Sequence, residues 1–179
     1  MKPLLGALAI SRRFLEPVHL AVDFTCGNGH DTLALADLAT VVYAFDIQSQ
    51  AIEATRRRIG ERPHVHLIQD NFVNFRNYIT QAIDLAVFNL GYLPGSDKQI
   101  VTHWADVEIC LQALLMQLSP DGRVVIVSYP GHEQGNQETE SLQELLQRLD
   151  ATDFRTFSLR HLNGLNEPPQ LYMLERNAR

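Results

Sequence analysis

The sequence predicts an α/β fold, a seven-stranded, mostly parallel sheet with an antiparallel last strand and helices on both faces. Three observations carry this. Short apolar runs alternate with longer segments of helical periodicity, the pattern of repeated strand-helix-strand units. The first apolar run ends in a glycine turn, Thr25-Cys26-Gly27-Asn28-Gly29, that leads into a helix. Near the end, two prolines stand before the last apolar run and not inside it, as in a loop joining two antiparallel edge strands.

Taken in order, a helix over Leu4 to Leu15 precedes the first strand, His19 to Phe24. Helix Thr32 to Leu38 leads to strand Val41 to Asp46, and helix Ser49 to Ile59 to strand His64 to Ile68. Helix Phe72 to Tyr78 and strand Asp84 to Asn89 follow. Gly91 to Thr102 has no periodicity and reads as a functional loop or lid. Helix His103 to Leu118 stops at Ser119-Pro120-Asp121-Gly122, because proline cannot continue a helix and glycine tolerates the reversal. Strand Arg123 to Tyr129, helix Thr139 to Leu149 and strands Thr156 to Arg160 and Leu171 to Glu175 complete the chain. Trp104, Leu111, Leu114 and Leu115 fall on one helix face and read as core.

With 179 residues, no internal repeat and no linker composition, residues 1-179 are expected to form a single domain. No run approaches the roughly 18 apolar residues a membrane span requires. The opening MKPLLGALAISRRFLEP has no small-residue cleavage site, so the chain reads as cytoplasmic. Two cysteines, Cys26 and Cys110, are too few for a disulfide scaffold or a four-cysteine zinc site. A net charge of -6 excludes a protein that coats long nucleic acid, and leaves room for a short, local RNA contact. Of 15 basic residues only Lys2 and Lys98 are lysine; arginines gather at Arg12 and Arg13 and at Arg56, Arg57, Arg58 and Arg62. The second group reads as a solvated helix face.

The first strand and its turn carry the sharpest chemical signal. Two glycines let the backbone pass close to a ligand, and the next helix offers unpaired N–H groups. A dinucleotide site would want a third glycine where Thr32 stands. His30 and Asp31 in the helix's first turn are awkward for a pyrophosphate and comfortable for a cofactor with a positive centre and an amino acid tail. Asp46 ends the second strand, where a carboxylate accepts hydrogen bonds from ribose hydroxyls, and Asp70-Asn71 ends the third, where an adenine amine could be held. His64 and His66 are two apart on a strand without a further ligand at useful spacing, so no metal is expected. Cys26 reads as a small side chain packed beneath the cofactor.

The strings TCGNGHDT, FDIQ, FNLGYLPGSDK, YPGHEQG and NGLNEPPQL resemble those of a small bacterial family of rRNA methylases. These are Rossmann-like class I methyltransferases dependent on S-adenosylmethionine. The resemblance spans nearly the whole chain, with Ser96 where a second glycine is common and Pro130 where the family can carry histidine. It implies a stand-alone tRNA methyltransferase that converts 5-aminomethyl-2-thiouridine at the wobble position to its 5-methylaminomethyl form. It implies Asp23, Gly27, Asn28 and Gly29 at the methionine end, Asp46 and Gln48 at the ribose, and Asp70 and Asn71 at the adenine. Asn89-Leu90-Gly91-Tyr92 stands where amino-methyltransferases carry Asn-Pro-Pro-Tyr, so Asn89 and the Leu90 carbonyl would hold the acceptor amine beside the cofactor while Tyr92 stacks on the base.

An alkyl amine is mostly protonated at neutral pH and must lose a proton before attack; Asp31, Tyr129 and His132 are the candidate acceptors. Arg12, Arg13 and Lys98 are candidate phosphate contacts, and Asn163 and Asn166 candidate readers of the uridine edge. The expected partner is the anticodon arm of tRNA, with a homodimer suggested by the family and by the small acidic body. The rivals are methylation of an rRNA base or a small amine, a module that holds S-adenosylmethionine without transfer, and an NAD-dependent reductase, which the absent third glycine disfavours.

Overall fold

A computed structural model describes residues 16–90, 103–131, 133–163 and 167–178. Its strands are β1 (Val18–Asp23), β2 (Ala39–Asp46), β3 (Val65–Gln69), β4 (Ile83–Leu90), β5 (Leu118–Ser128), β6 (Phe154–Leu159) and β7 (Gln170–Arg176). They form one seven-stranded sheet in the order β3-β2-β1-β4-β5-β7-β6. All neighbours pair in parallel except β7, which runs antiparallel to both β5 and β6. The last strand is thus antiparallel as expected, but it is inserted between β5 and β6 and leaves β6 alone at the edge. The chain builds outward from β1 through β2 to β3, then returns to build β4 and β5 on the other side. The carboxyl ends of β1 and β4 therefore flank the point where the winding reverses, which is where open α/β sheets bind ligands.

Strand parity sorts the core into two faces. Val22, Phe24, Phe88, Val124 and Ile126 point to one face, covered by helices α3 (Trp104–Leu115) and α4 (Glu133–Gln147) and by a 3-10 helix over Phe72–Asn77. Ala21, Val42, Val87, Val125 and Val127 point to the other, which meets Leu35 of α1 (His30–Ala36); Ala44 meets Ile52 of α2 (Ser49–Ile59) there. Phe24 and Phe88 stack with centroids 4.5 Å apart, which pins the start of the glycine turn to β4.

Several boundaries differ from the sequence expectation. Ser119-Pro120-Asp121-Gly122 is not a turn ahead of β5 but an irregularity within it: the register jumps from Ile83↔Leu118 to Leu85↔Arg123, with Asp121 at φ 60. Helix α3 already ends at Leu115. Helix α4 begins at Glu133, not Thr139, because its first turns are polar and carry Gly135, so they show no apolar period. The helix expected over Phe72 to Tyr78 is a 3-10 helix over Phe72–Asn77 rather than an α-helix, capped by the Asn71 side chain accepting from the Val73 N–H at 3.0 Å. The expected helix over Leu4 to Leu15 and the loop Gly91 to Thr102 lie outside the described residues. No described helix is long and apolar enough to cross a membrane.

Candidate active site

Four polar side chains reach one corner of the molecule because they share a parity. Asp23 follows Ala21 by two residues, Asp46 follows Ala44, Asn89 follows Val87 and Tyr129 follows Val127, so all four belong to the face covered by α1 and α2. The register pairs Asp23 with Ala44 on one side and Val87 on the other. Asp46 and Asn89 thus flank the turn that follows Asp23.

That turn is held from every side. Cys26 N–H donates to the Phe45 carbonyl at 2.9 Å and Gly27 N–H to Asp46 Oδ2 at 3.1 Å. Gly27 and Gly29 have φ of 50 and 77, left-handed values that favour glycine. A Cβ on Gly29 would stand 2.8 Å from Cα of Thr55 on α2, so the turn rests directly on that helix. Thr55, fully buried, donates its hydroxyl to the Gly27 carbonyl at 3.1 Å, and Arg58 Nε donates to the Asn28 carbonyl. Asn28 and Gly27 remain half-exposed at the crevice.

Asp23 has no solvent exposure; its oxygens accept from Thr25 N–H at 3.1 Å and from the Thr32 hydroxyl at 2.6 Å. Burial and then the nearby charge of Asp31 push its carboxyl up to about 7, against those two hydrogen bonds. Its part is to lock the turn and place latent negative charge beneath it. Asp46 accepts from Gln48 N–H at 2.9 Å through its other oxygen, and burial raises its carboxyl above the ordinary range. Asp23, Asp31 and Asp46 lie close enough for their charges to act on one another, surroundings that suit a ligand bringing positive charge.

Asp70 and Asn71 lie at the end of β3, and both have local partners. Asp70 accepts from Asn74, Tyr78 and Asn71 N–H, bonds that hold its carboxyl below the usual range with Asn74 first among them. Asn71 donates to Asp106 at 2.9 Å while capping the 3-10 helix.

On the acceptor side, Asn89 N–H donates to the Thr25 hydroxyl at 2.7 Å, tying β4 to the glycine turn. The Asn89 side chain hydrogen-bonds the Tyr129 hydroxyl, whose pKa burial raises, with the charge of Asp31 adding to the rise. The rise disfavours the phenolate form of Tyr129 that would take up a proton. Asn163 is exposed beyond β6. Tyr92, His132, Arg12, Arg13, Lys98 and Asn166 lie outside the described residues.

The sequence reading missed Thr25, Thr32, Thr55 and Arg58. The first two stand inside the glycine motif and their hydroxyls were the available signal; Thr55 is a threonine on the apolar side of an amphipathic helix. Elsewhere, His64 hydrogen-bonds the Ala36 carbonyl at 3.0 Å, while His66 stacks on Tyr43, so the two do not converge. No metal-holding group of three or more His, Cys, Asp or Glu occurs among the described residues. Cys26 is buried against Ala44 and Ile52, and burial pushes its thiol up, as fits a packing role beneath the turn.

Comparison with known proteins agrees with this fold. Residues 42–175 match the family described as "Putative rRNA methylase". A chloroplastic tRNA (mnm(5)s(2)U34)-methyltransferase of Arabidopsis thaliana is 32% identical over 171 residues, 87% of this chain; the chain spans 62% of that relative's length. The crystal structure of a "putative rRNA-methylase" from Clostridium thermocellum superposes with a TM-score of 0.90 at 32% identity, covering 97% of this chain and 99% of that one. A methyltransferase structure from Streptococcus mutans, in complex with SAH, superposes with a TM-score of 0.88 at 34% identity, covering 95% and 97%.

Proposed function

The chain belongs to the rRNA methylase family, with the class I methyltransferase fold, and on that premise we propose that it is an S-adenosylmethionine-dependent methyltransferase acting on the aminomethyl nitrogen of a wobble uridine in tRNA. The observation that carries the reading is Asn89 at the carboxyl end of β4, bonded through its amide N–H to the glycine turn and through its side chain to Tyr129. The neighbour holding SAH supports the cofactor and the plant relative supports the acceptor.

S-adenosylmethionine, when bound, supplies a methyl group on a sulfonium centre that a neutral amine displaces in line. Gly27, Asn28 and Gly29 would face its amino acid end, above Asp23. Asp46 and Gln48 would meet the ribose, and Asp70 and Asn71 the adenine. Asn89 and the Leu90 carbonyl accept from the acceptor amine and aim its lone pair, which is a matter of alignment more than of acid or base strength. Tyr92 stacks on the base, and Asp31 or His132 takes the amine's proton. Arg12, Arg13, Lys98, Asn163 and Asn166 supply the RNA contacts of a cytoplasmic, single-domain homodimer that grips only the anticodon arm.

The family's own description favours one other acceptor, a base in rRNA. Labelled S-adenosylmethionine and tRNA from cells lacking this enzyme separate the two. Appearance of the 5-methylaminomethyl nucleoside in digested tRNA, with loss of its aminomethyl precursor, is expected. Transfer to rRNA alone overturns the tRNA reading.

A further inference from the structure

A second cleft opens at the carboxyl edge of the sheet, beyond β5, with a volume of about 430 Å³. It is bounded by Pro130, by Asn136 and Gln143 of α4, by Arg160 after β6, and by Pro168 and Gln170 at the start of β7. Pro130 follows Tyr129 in the chain, so the cleft opens at the same carboxyl edge of the sheet as the acceptor side, on the face that α4 covers. We propose that this cleft seats the base of a nucleotide next to the one that is methylated, an inference that rests on the RNA reading above.

Its chemistry fits a base better than a bare phosphate. Two of its lining side chains, Gln143 and Gln170, are held from beneath by the buried Tyr172: Gln143 donates to the Tyr172 hydroxyl at 2.6 Å and Tyr172 donates to Gln170 Oε1 at 2.7 Å. Thr139 beside them is tied to Ser128 at 3.1 Å. Such groups, held in one orientation, match the donors and acceptors on a base edge without reorganisation. Glu140 and Glu167 also line the cleft; they repel phosphate from its interior and accept from base N–H groups. Pro130, Pro168 and Leu162 give apolar surface for the base faces, and Arg160 stands where it can meet the backbone phosphate. The volume lies within the range of sites that hold a small organic ligand. Glu167 adds an independent sign: it holds φ at 45 directly before a proline, a position that favours extended backbone, and such strain concentrates at binding sites.

The test uses the full-length protein and synthetic anticodon stem-loops carrying the aminomethyl acceptor, either intact or with one flanking base removed. Removing the base on one side is expected to raise KM about tenfold with kcat unchanged, the size of a lost stacked and hydrogen-bonded base. Asn136→Ala is expected to raise KM on the intact loop by the same factor, and to add nothing on the loop lacking that base. Arg160→Ala should raise KM and flatten its dependence on salt, as for a lost phosphate contact. Unchanged affinity for S-adenosylhomocysteine reports intact folding of both variants. If wild type methylates the loops but Asn136→Ala is neutral, or its effect multiplies with base removal on either side, the cleft proposal is overturned and the function stands. If wild type methylates no RNA, both fall.

Discussion

Gly27 N–H donates to Asp46 Oδ2 across the gap between the first and second strands, while Asp46 Oδ1 accepts from Gln48 N–H. One carboxylate thus joins the glycine turn to the second strand's end, and the residue expected at the ribose also sets the height of the turn above the sheet. On the proposed function, cofactor affinity and turn geometry are coupled through this side chain.

Asp46→Asn makes that coupling measurable. An amide has one oxygen, so its NH2 must face either Gly27 N–H or Gln48 N–H, donor against donor. Losing one hydrogen bond to a charged acceptor costs about 1.5–3 kcal/mol, so affinity for S-adenosylhomocysteine should fall by roughly tenfold to a hundredfold. Calorimetric titration reads this directly, and an unchanged Kd would remove Asp46 from the cofactor site.

The same turn is intolerant of a methyl group at Gly29. Alanine there must hold φ near 77 and place its Cβ 2.8 Å from the Thr55 Cα, a backbone atom that cannot rotate aside. Left-handed backbone costs about 1–2 kcal/mol and overpacking about 1–3, so Gly29→Ala should lose roughly 2–5 kcal/mol in denaturant unfolding. A variant as stable as wild type would mean that α2 yields at Thr55.

Much of this site was legible because strand parity is written in the sequence. The run Ala21-Val22-Asp23 already aligns Asp23 with one core face, and the glycines, Asp46 and Asn89 follow at strand ends where ligands bind. What was not legible depends on tertiary approach. Thr55 reaches Gly27 only because α2 packs beneath the turn, and its place on the apolar side of that helix does not say which carbonyl it meets. The polar start of α4 hid six residues' worth of helix boundary shift between Glu133 and Thr139 for the same reason: that turn is stabilised by context and not by an apolar stripe. The insertion of the last strand between β5 and β6 is likewise a pairing choice that no single strand encodes.

Asp23 makes stability depend on pH in a defined direction. Its carboxyl lies near 3.8 when unfolded and about 7 when folded, so folding takes up a proton between those values. The stabilisation is fully present below the unfolded value and is lost as pH rises through the folded one. Asp23→Asn keeps an acceptor for Thr25 N–H and turns its NH2 toward the Thr32 hydroxyl, and it does not titrate. The variant's melting temperature relative to wild type should therefore climb between about pH 4 and about pH 7 and level off above. A constant difference across that range would show that Asp23 is not protonated on folding.

On the proposed function, Asn89 touches the substrate and Tyr129, bonded to the Asn89 side chain, positions it. Asn89→Ala should retain S-adenosylhomocysteine affinity while kcat drops by about a hundredfold, the scale of a lost oriented contact at the reacting centre. Tyr129→Phe removes only the hydrogen bond that holds the Asn89 side chain, so a smaller loss, about tenfold, is expected. The shape of the pH–rate profile separates positioning from proton transfer. Burial keeps the Tyr129 hydroxyl above its ordinary pKa, so the phenol is neutral throughout the working range and its removal should leave both limbs of the profile in place. Loss of the limb that reports a proton acceptor in Tyr129→Phe would make Tyr129 the base, and would return Asp31 and His132 to roles in charge and shape alone.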